Sequence, residues 1–386
     1  MIARNDRPRI GRRTFHGLAW GSEISLAARS SLLIVGPTQV GKTSALVVPS
    51  LLTWRGPLVV TSVKHDVVVT TQAWRGALGD VQLLEPGRDD GLTWDPLEGV
   101  VTLRHALRVA RDLTSSASGH GDTEFWNALA TKLVAALLVS ARESSRSIFD
   151  VADVVERRDF GVWMASSPPS EARALLGTFL EHEVKTLDGV VTTAETMLLP
   201  WRFRQPLARV RSVVHGANTL YLCSPRGEQQ HYEPLFRGAL RSVFEEQQRL
   251  VDCGRQRQLL VVLDEAATVA PLDELDQLAA TTSGLDVTLV TVVQDFAQLA
   301  ARWGPRAATI VNNHTTRVVL GGLADPTVAR YLPELVDQRP DHESPALRRR
   351  APGTALVVSG SRPVVTVRLR PWWRRRRLRR RAAAPW

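Results

Sequence analysis

Short, uninterrupted apolar runs recur along the chain. Residues 31–35 (SLLIV), 58–63 and 81–84 predict three strands near the start, the first ending in a Gly-Pro turn. A helical stretch over about 42–54 separates the first two. Strands that lack polar alternation are buried on both faces, which is the pattern of a parallel sheet covered by helices. Between about 100 and 215 the period changes. Apolar residues recur at helical spacing in 103–113, 125–141 and 190–204. The stretches 114–121 (TSSASGHG) and 166–170 (SSPPS) read as loops. After 216 the alternation returns, with strands expected at 218–223, 259–263, 287–293 and 316–320. Helices fit 233–251, 272–280, 295–302 and 325–332, and 353–369 reads as two short β-rich runs around Ser359-Gly360.

The expected class is α/β, with a parallel central sheet split in sequence by an inserted all-α domain. The expected organisation is a basic, irregular arm (1–22), a split core (23–100 and 216–345) and the all-α insertion (101–215). A β-rich extension (346–370) and an Arg/Trp-rich tail (371–386) follow.

Composition narrows this little. With 386 residues, 44% hydrophobic and 23% charged, the chain is neither disordered, collagen-like nor a small disulfide scaffold. The longest apolar stretch, 128–139, is short and broken by Lys132, and no apolar segment follows the Arg-rich opening residues. The expectation is a cytoplasmic protein without a transmembrane segment. Charge is more informative. The net +10 is concentrated after Glu343, where there are 13 Arg and no acidic residue. Residues 1–343 carry 36 basic and 39 acidic residues, so the body is no uniform nucleic-acid-binding shell. Cys223 and Cys253 cannot build a framework or a Cys-based zinc site and are expected as buried thiols. None of the nine His shows metal spacing, and His314 reads as a structural hydrogen-bonding residue.

The chemistry begins at Gly36-Pro37-Thr38-Gln39-Val40-Gly41-Lys42-Thr43, followed by Ser44. This run fills every fixed position of G-x-x-x-x-G-K-[ST], after an apolar strand and at a helix start. Its glycines let backbone N–H groups wrap phosphates, Lys42 reaches the β- and γ-phosphates, and the Thr43 hydroxyl ligates Mg²⁺. The expected cofactors are ATP and Mg²⁺. The strand 259–263 then delivers Asp264-Glu265 at its C-terminal end, where open α/β sheets bind ligands. Asp264 is the expected Mg²⁺ residue, and Glu265 the group that polarises the attacking water. Gln294, ending 287–293, is the candidate γ-phosphate sensor, with a plain helix-start Gln before Asp295 as the other reading.

Together these residues resemble the type IV coupling proteins, the TraG/TraD family of conjugative DNA-transfer ATPases, and more distantly the FtsK/HerA-type translocases. Further matches are Pro49-Ser50-Leu51-Leu52-Thr53-Trp54-Arg55-Gly56, Val63-Lys64-His65-Asp66, Trp94-Asp95-Pro96-Leu97 and Phe125-Trp126. Asn312-Asn313-His314, Gly321-Gly322 and Ala324-Asp325-Pro326 complete the likeness, which spans about 17–335. His65 stands where the family has Gly. The family's membrane anchor and the Arg of its loop before the sensor strand have no counterpart, that loop reading Ala280-Thr281-Thr282-Ser283-Gly284. Arg302, Arg306 and Arg317 are the nearby candidates to act on a neighbouring subunit's ATP, with Arg306 preferred.

The resemblance implies a RecA-like core and a ring, a homo-hexamer, that pumps DNA. Its implied partners are a relaxase–DNA complex or other secretion substrate, type IV secretion channel proteins and a membrane-anchored partner. Two other readings remain at this point: a nucleotide-switched adaptor with little hydrolysis, and an ATPase for protein export. The run Trp372–Arg381 has three: a DNA-phosphate neutraliser, a seat on an anionic membrane, or a solvated tail.

Overall fold

The computed structural model describes residues 8–15, 18–63, 65–88, 91–114, 122–181, 183–224, 227–269, 272–323, 328–331 and 353–382. Lys64, most of the 114–121 loop and Ala324-Asp325-Pro326 lie outside them. The strands are β1 (Arg9–Phe15), β2 (Leu18–Ser25), β3 (Ser31–Val35), β4 (Leu58–Ser62), β5 (Val81–Leu84), β6 (Thr93–Trp94) and β7 (Leu207–Ala208). They continue with β8 (Thr219–Cys223), β9 (Leu259–Leu263), β10 (Val287–Val293), β11 (Thr316–Leu320), β12 (Thr354–Ser359) and β13 (Val365–Arg368).

The chain forms two compact units. The first comprises residues 1–82, 212–224 and 244–386, and the second 83–211 and 225–243. The first unit is built on a sheet of order β2-β1-β13-β12-β11-β3-β10-β9-β4-β8-β5. From β11 to β8 neighbouring strands pair in parallel, and β3, β4, β8, β9 and β10 are buried along their whole length. This is why their sequences show no polar alternation.

The sheet departs from expectation at one edge. β12 joins β11 antiparallel, β13 joins β12, and β1 and β2 continue the same edge. Residues 354–359 and 365–368 are therefore part of the central sheet, and 9–15 and 18–25 are strands in place of the expected irregular arm. β1 is paired on both sides and β2 closes the edge; the Arg content of 9–15 is why that segment gives no apolar signal. Cys253 also differs from expectation: it is exposed just past the long helix Gln229–Asp252, while Cys223 is buried, and neither is in a disulfide.

A cluster of Asn313, His314 and Ser31 ties the helix Arg306–Asn313 to the sheet. Ser31 donates to the Asn313 carbonyl (2.9 Å), and Arg317 donates to the carbonyls of Val311 and His314. Arg75, on the helix Asp66–Gly76, is fully buried. It donates to Trp54 O (2.6 Å), Gly56 O (2.7 Å), Ala217 O (3.0 Å) and Thr219 Oγ1 (2.7 Å). Burial pulls its pKa down to about 10, so it stays charged at neutral pH. The Pro49–Gly56 motif thus has a physical role, presenting carbonyls to a buried guanidinium.

The second unit is helical apart from the β6–β7 pair. Its central helix, Asp122–Glu143, buries Leu133, Val134, Leu137 and Leu138. Among the described residues this is the one helix long and apolar enough to cross a membrane by length and composition, and 61% of the qualifying window is buried inside the structure. Ser147 and Asp150 form a reciprocal capping box that starts the helix Ile148–Arg157. Trp94 is buried beside Trp201, whose indole N–H donates to the Trp94 carbonyl (2.7 Å). The Trp94 ring also meets Gly238, where an added Cβ would sit 2.3 Å from a ring carbon.

Candidate functional site

Parallel register aligns the site. Val35 is level with Val293, and Leu263 is level with both Thr291 and Thr61. Gly36, Gln294, Asp264 and the start of the Asp66–Gly76 helix therefore emerge from one edge of the sheet. That is the carboxyl edge where α/β proteins bind ligands.

The glycine-rich loop turns sharply. Gln39 (φ +66°) and Gly41 (φ +95°) occupy the left-handed region. A Cβ on Gly36 would sit 2.8 Å from Leu320 Cβ, so the loop can leave β3 there only without a side chain. After Lys42 the helix begins with a π-wound segment, Thr43–Val47, and continues as α over Val48–Thr53. Nothing in the residue pattern over 42–54 predicts this change of winding. The Lys42 ammonium is buried and donates to Gly36 O and, at 2.8 Å, to Pro37 O. It thus lies folded into the cradle of its own loop.

Asp264 is 5% exposed. Its Oδ2 accepts from the Thr43 hydroxyl at 3.2 Å, and its carbonyl accepts from Thr61 (3.1 Å). Glu265 follows in the left-handed region (φ +56°), an uncommon state for a residue with a Cβ. Its carbonyl accepts from Thr268 and Val269, which holds the turn. Thr38, Gln39, Gly41, Lys42, Thr43 and Ser44 line a cleft of about 390 Å³ together with Asp264 and Glu265. Asp66 and Thr70 line it from the Asp66–Gly76 helix, and Val48, Trp372 and Trp373 complete it. Sequence reasoning did not assign Thr70, Trp372 or Trp373 to the site. Asp66 appeared only within the Val63–Asp66 element.

Of the predicted loop residues, Gly36, Pro37 and Val40 are not part of this lining, and Gln294 and Arg306 also stand apart from it. The Gln294 N–H donates to Gln298 Oε1 (3.0 Å), while Asp295 caps the next helix by accepting from the Gln298 N–H (2.7 Å). Arg306 is ion-paired with Asp276 in its own chain, with Nε–Oδ2 at 3.2 Å. Burial works to raise the Asp276 pKa, but hydrogen bonds from Arg306 and the backbone hold it below the usual range.

A parallel sheet with a glycine-rich loop opening a helix opposite a strand-end carboxylate defines the RecA-like P-loop NTPase fold. Two family descriptions match the sequence. "Type IV secretory system Conjugative DNA transfer" covers residues 7–193, and "TraM recognition site of TraD and TraG" covers residues 258–351. The chain belongs to the type IV coupling proteins. It is 22% identical over 313 residues to the conjugal transfer protein TraG of Escherichia coli, covering 70% of this chain and 49% of that protein. It is 22% identical over 344 residues to protein VirD4 of Rhizobium radiobacter, covering 83% of this chain and 50% of that protein. The chain therefore spans about half the length of the curated relatives it matches.

Among solved structures it superposes on the bacterial conjugative coupling protein TrwBdeltaN70 with a TM-score of 0.70 at 17% identity, covering 95% of this chain and 90% of that one. TrwB in complex with ADP and Mg²⁺ matches with a TM-score of 0.68 at 16% identity, covering 95% and 90%.

Proposed function

We propose that this chain binds ATP with Mg²⁺ in the Lys42–Asp264 cleft, hydrolyses it, and uses the cycle to drive DNA into a type IV secretion channel. The observation that carries the reading is the Thr43–Asp264 contact at 3.2 Å, which sets a hydroxyl and a carboxylate side by side beneath the phosphate loop. No group of three or more His, Cys, Asp or Glu able to hold a metal occurs among the described residues. A Mg²⁺ held by one carboxylate, one hydroxyl and substrate phosphates fits that donor set. The cation would neutralise phosphate charge when bound.

The residues divide the work. Backbone N–H groups of Gly36 to Ser44 wrap the phosphates, with Pro37, Thr38, Gln39 and Val40 shaping the loop. Lys42 exchanges its loop carbonyls for phosphate oxygens. Glu265 accepts a proton from the water that attacks the γ-phosphorus, as the bond from that phosphorus to the β-phosphate oxygen breaks. Gln294 reports the γ-phosphate. Arg306 is the candidate to reach a neighbouring copy's nucleotide in a homo-hexameric ring, once its pair with Asp276 opens. The helical residues between 101 and 215 would receive the relaxase–DNA complex or another secretion substrate. A membrane-anchored partner would hold the ring at the inner face of the membrane.

The test is turnover of the purified protein with and without DNA, beside Glu265→Gln. DNA-stimulated hydrolysis that disappears in the variant supports a motor. Nucleotide binding without turnover at any DNA or protein concentration would sink that reading in favour of a nucleotide-switched adaptor. The engagement of Arg306 with Asp276 is the observation that favours the adaptor. Turnover indifferent to DNA would point to protein export.

A further inference from the structure

Residues 372–382 of the Arg/Trp-rich tail are folded onto the candidate nucleotide site. Trp372–Arg374 form a 3₁₀ turn, and Arg376–Ala382 a short helix. Leu378 is buried against Val48 and Leu52, with Trp74, Trp372 and Ala382 packed around the same cluster. Arg381 is 7% exposed, donates to the Leu52 carbonyl and lies 4.2 Å over the Trp74 ring. A buried Leu and a buried Arg thus fasten the tail to the helix that starts at the phosphate loop.

This attachment gives the cleft an aromatic wall. Trp372 and Trp373 line the cleft that also holds Lys42, Thr43 and Asp264. Their rings meet edge to face at 5.7 Å, so the half-buried Trp372 supports Trp373 from the side. Trp373 remains 47% exposed. Val48, which lines the cleft and also packs under Leu378, lies five residues beyond Thr43, roughly 7 Å along the helix. The wall made by Val48, Trp372 and Trp373 carries no charge, unlike the phosphate loop and its carboxylates. Large aromatic surface left in a cleft of about 390 Å³ suits a flat, apolar-faced ligand.

We propose that Trp373, buttressed by Trp372 and fixed by the tail helix, is the stacking wall for the base of the bound nucleotide. The proposal rests on the nucleotide reading above and deepens it. A stacking face recognises the π-surface of a base and ignores its edge, so ATP and GTP are expected to bind alike. Arg374, Arg376, Arg377, Arg379 and Arg380 stay exposed and take no part in the wall.

The experiment measures dissociation constants of the full chain for Mg²⁺-ATP, Mg²⁺-GTP and Mg²⁺-tripolyphosphate by calorimetry. Wild type is compared with Trp373→Ala, Trp373→Phe and Lys42→Ala, and a thermal melt checks that each variant folds. Trp373→Ala is expected to weaken both nucleotides about 5- to 100-fold and leave tripolyphosphate unchanged. Trp373→Phe is expected to recover most of the loss, and Lys42→Ala to weaken all three ligands. Equal loss for tripolyphosphate, unchanged nucleotide affinity, or tighter binding in Trp373→Ala would overturn the base wall while leaving the phosphate site intact. Wild type that binds none of the three ligands would overturn the nucleotide reading and this proposal with it.

Discussion

His314 Nε2 lies 2.9 Å from the hydroxyl of Thr291, in the strand that ends at the candidate sensor Gln294. The other ring nitrogen donates to the Ile310 carbonyl, so the imidazole bridges a helix end to the sheet. Burial, with a smaller push from Arg317, lowers its pKa from 6.5 to about 4. The unfolded chain therefore binds a proton between those values that the folded chain refuses. The His314 contribution is fully present above pH 6.5 and is lost as the pH falls towards 4, by on the order of 3 kcal/mol at the lower end. Urea midpoints measured from pH 7.5 to 4.5 are expected to fall more steeply for wild type than for His314→Gln. Parallel curves would show that His314 is not the titrating group.

Arg75 ties its helix to two other segments, Trp54–Gly56 and Ala217–Thr219, by four hydrogen bonds, and no other side-chain type offers donors in that spread. Arg75→Met leaves buried carbonyls without donors and is expected to cost about 3–5 kcal/mol. Arg75→Lys is expected to recover less than half, because one ammonium cannot span the carbonyls of Trp54, Gly56 and Ala217. Denaturant midpoints of the three proteins check this, and a neutral Lys variant would contradict it.

Gly238→Ala drives a methyl into the Trp94 ring and is expected to destabilise the helical unit by about 1–3 kcal/mol. Gly177→Ala is the contrasting case. It sits within the helix Glu171–Leu180 with nothing within 4 Å of an added Cβ, and is expected to stabilise by about 0.5–1 kcal/mol. Melting temperatures that shift in opposite directions would bear out both.

Arg306→Ala is expected to lower the turnover of assembled protein about 10³-fold or more, while nucleotide affinity stays unchanged. The lost Asp276 pair is half-exposed on the Arg side and should cost less than about 1 kcal/mol of stability. Mixing Arg306→Ala with Lys42→Ala subunits should restore part of the activity, since each supplies what the other lacks. A turnover change below tenfold would leave Arg306 a structural partner of Asp276.

Legibility followed burial. Strands 31–35, 259–263, 287–293 and 316–320 could be bounded from their apolar runs because both faces are covered. The phosphate loop and Asp264-Glu265 were visible for the same reason, as polar residues placed where an apolar run stops. Strands β1 and β2, at the far end of the sheet, were not, since the Arg-rich run of β1 reads like a solvated arm. The tail was missed for a different cause. Leu378 alone marks its buried side among seven Arg, and Arg381 is buried by the stem-and-fork contacts of one residue rather than by any pattern. Trp372 and Trp373 could not be assigned to the cleft because every other residue lining it lies more than 100 positions earlier. Their spacing holds no sign of that encounter.

Thr43 and Asp264 are 221 residues apart in sequence, and Leu52 and Arg381 are 329 apart. On a ribosome adding about 5–20 residues per second, the phosphate loop emerges some 10–45 seconds before its carboxylate partner exists. The strand β3 likewise waits for both of its neighbours, β10 and β11, while the helical unit is already being completed from more local contacts. The phosphate loop is therefore among the last parts of its unit to mature, and a nascent chain cannot close this site around a nucleotide until Asp264 has left the ribosome.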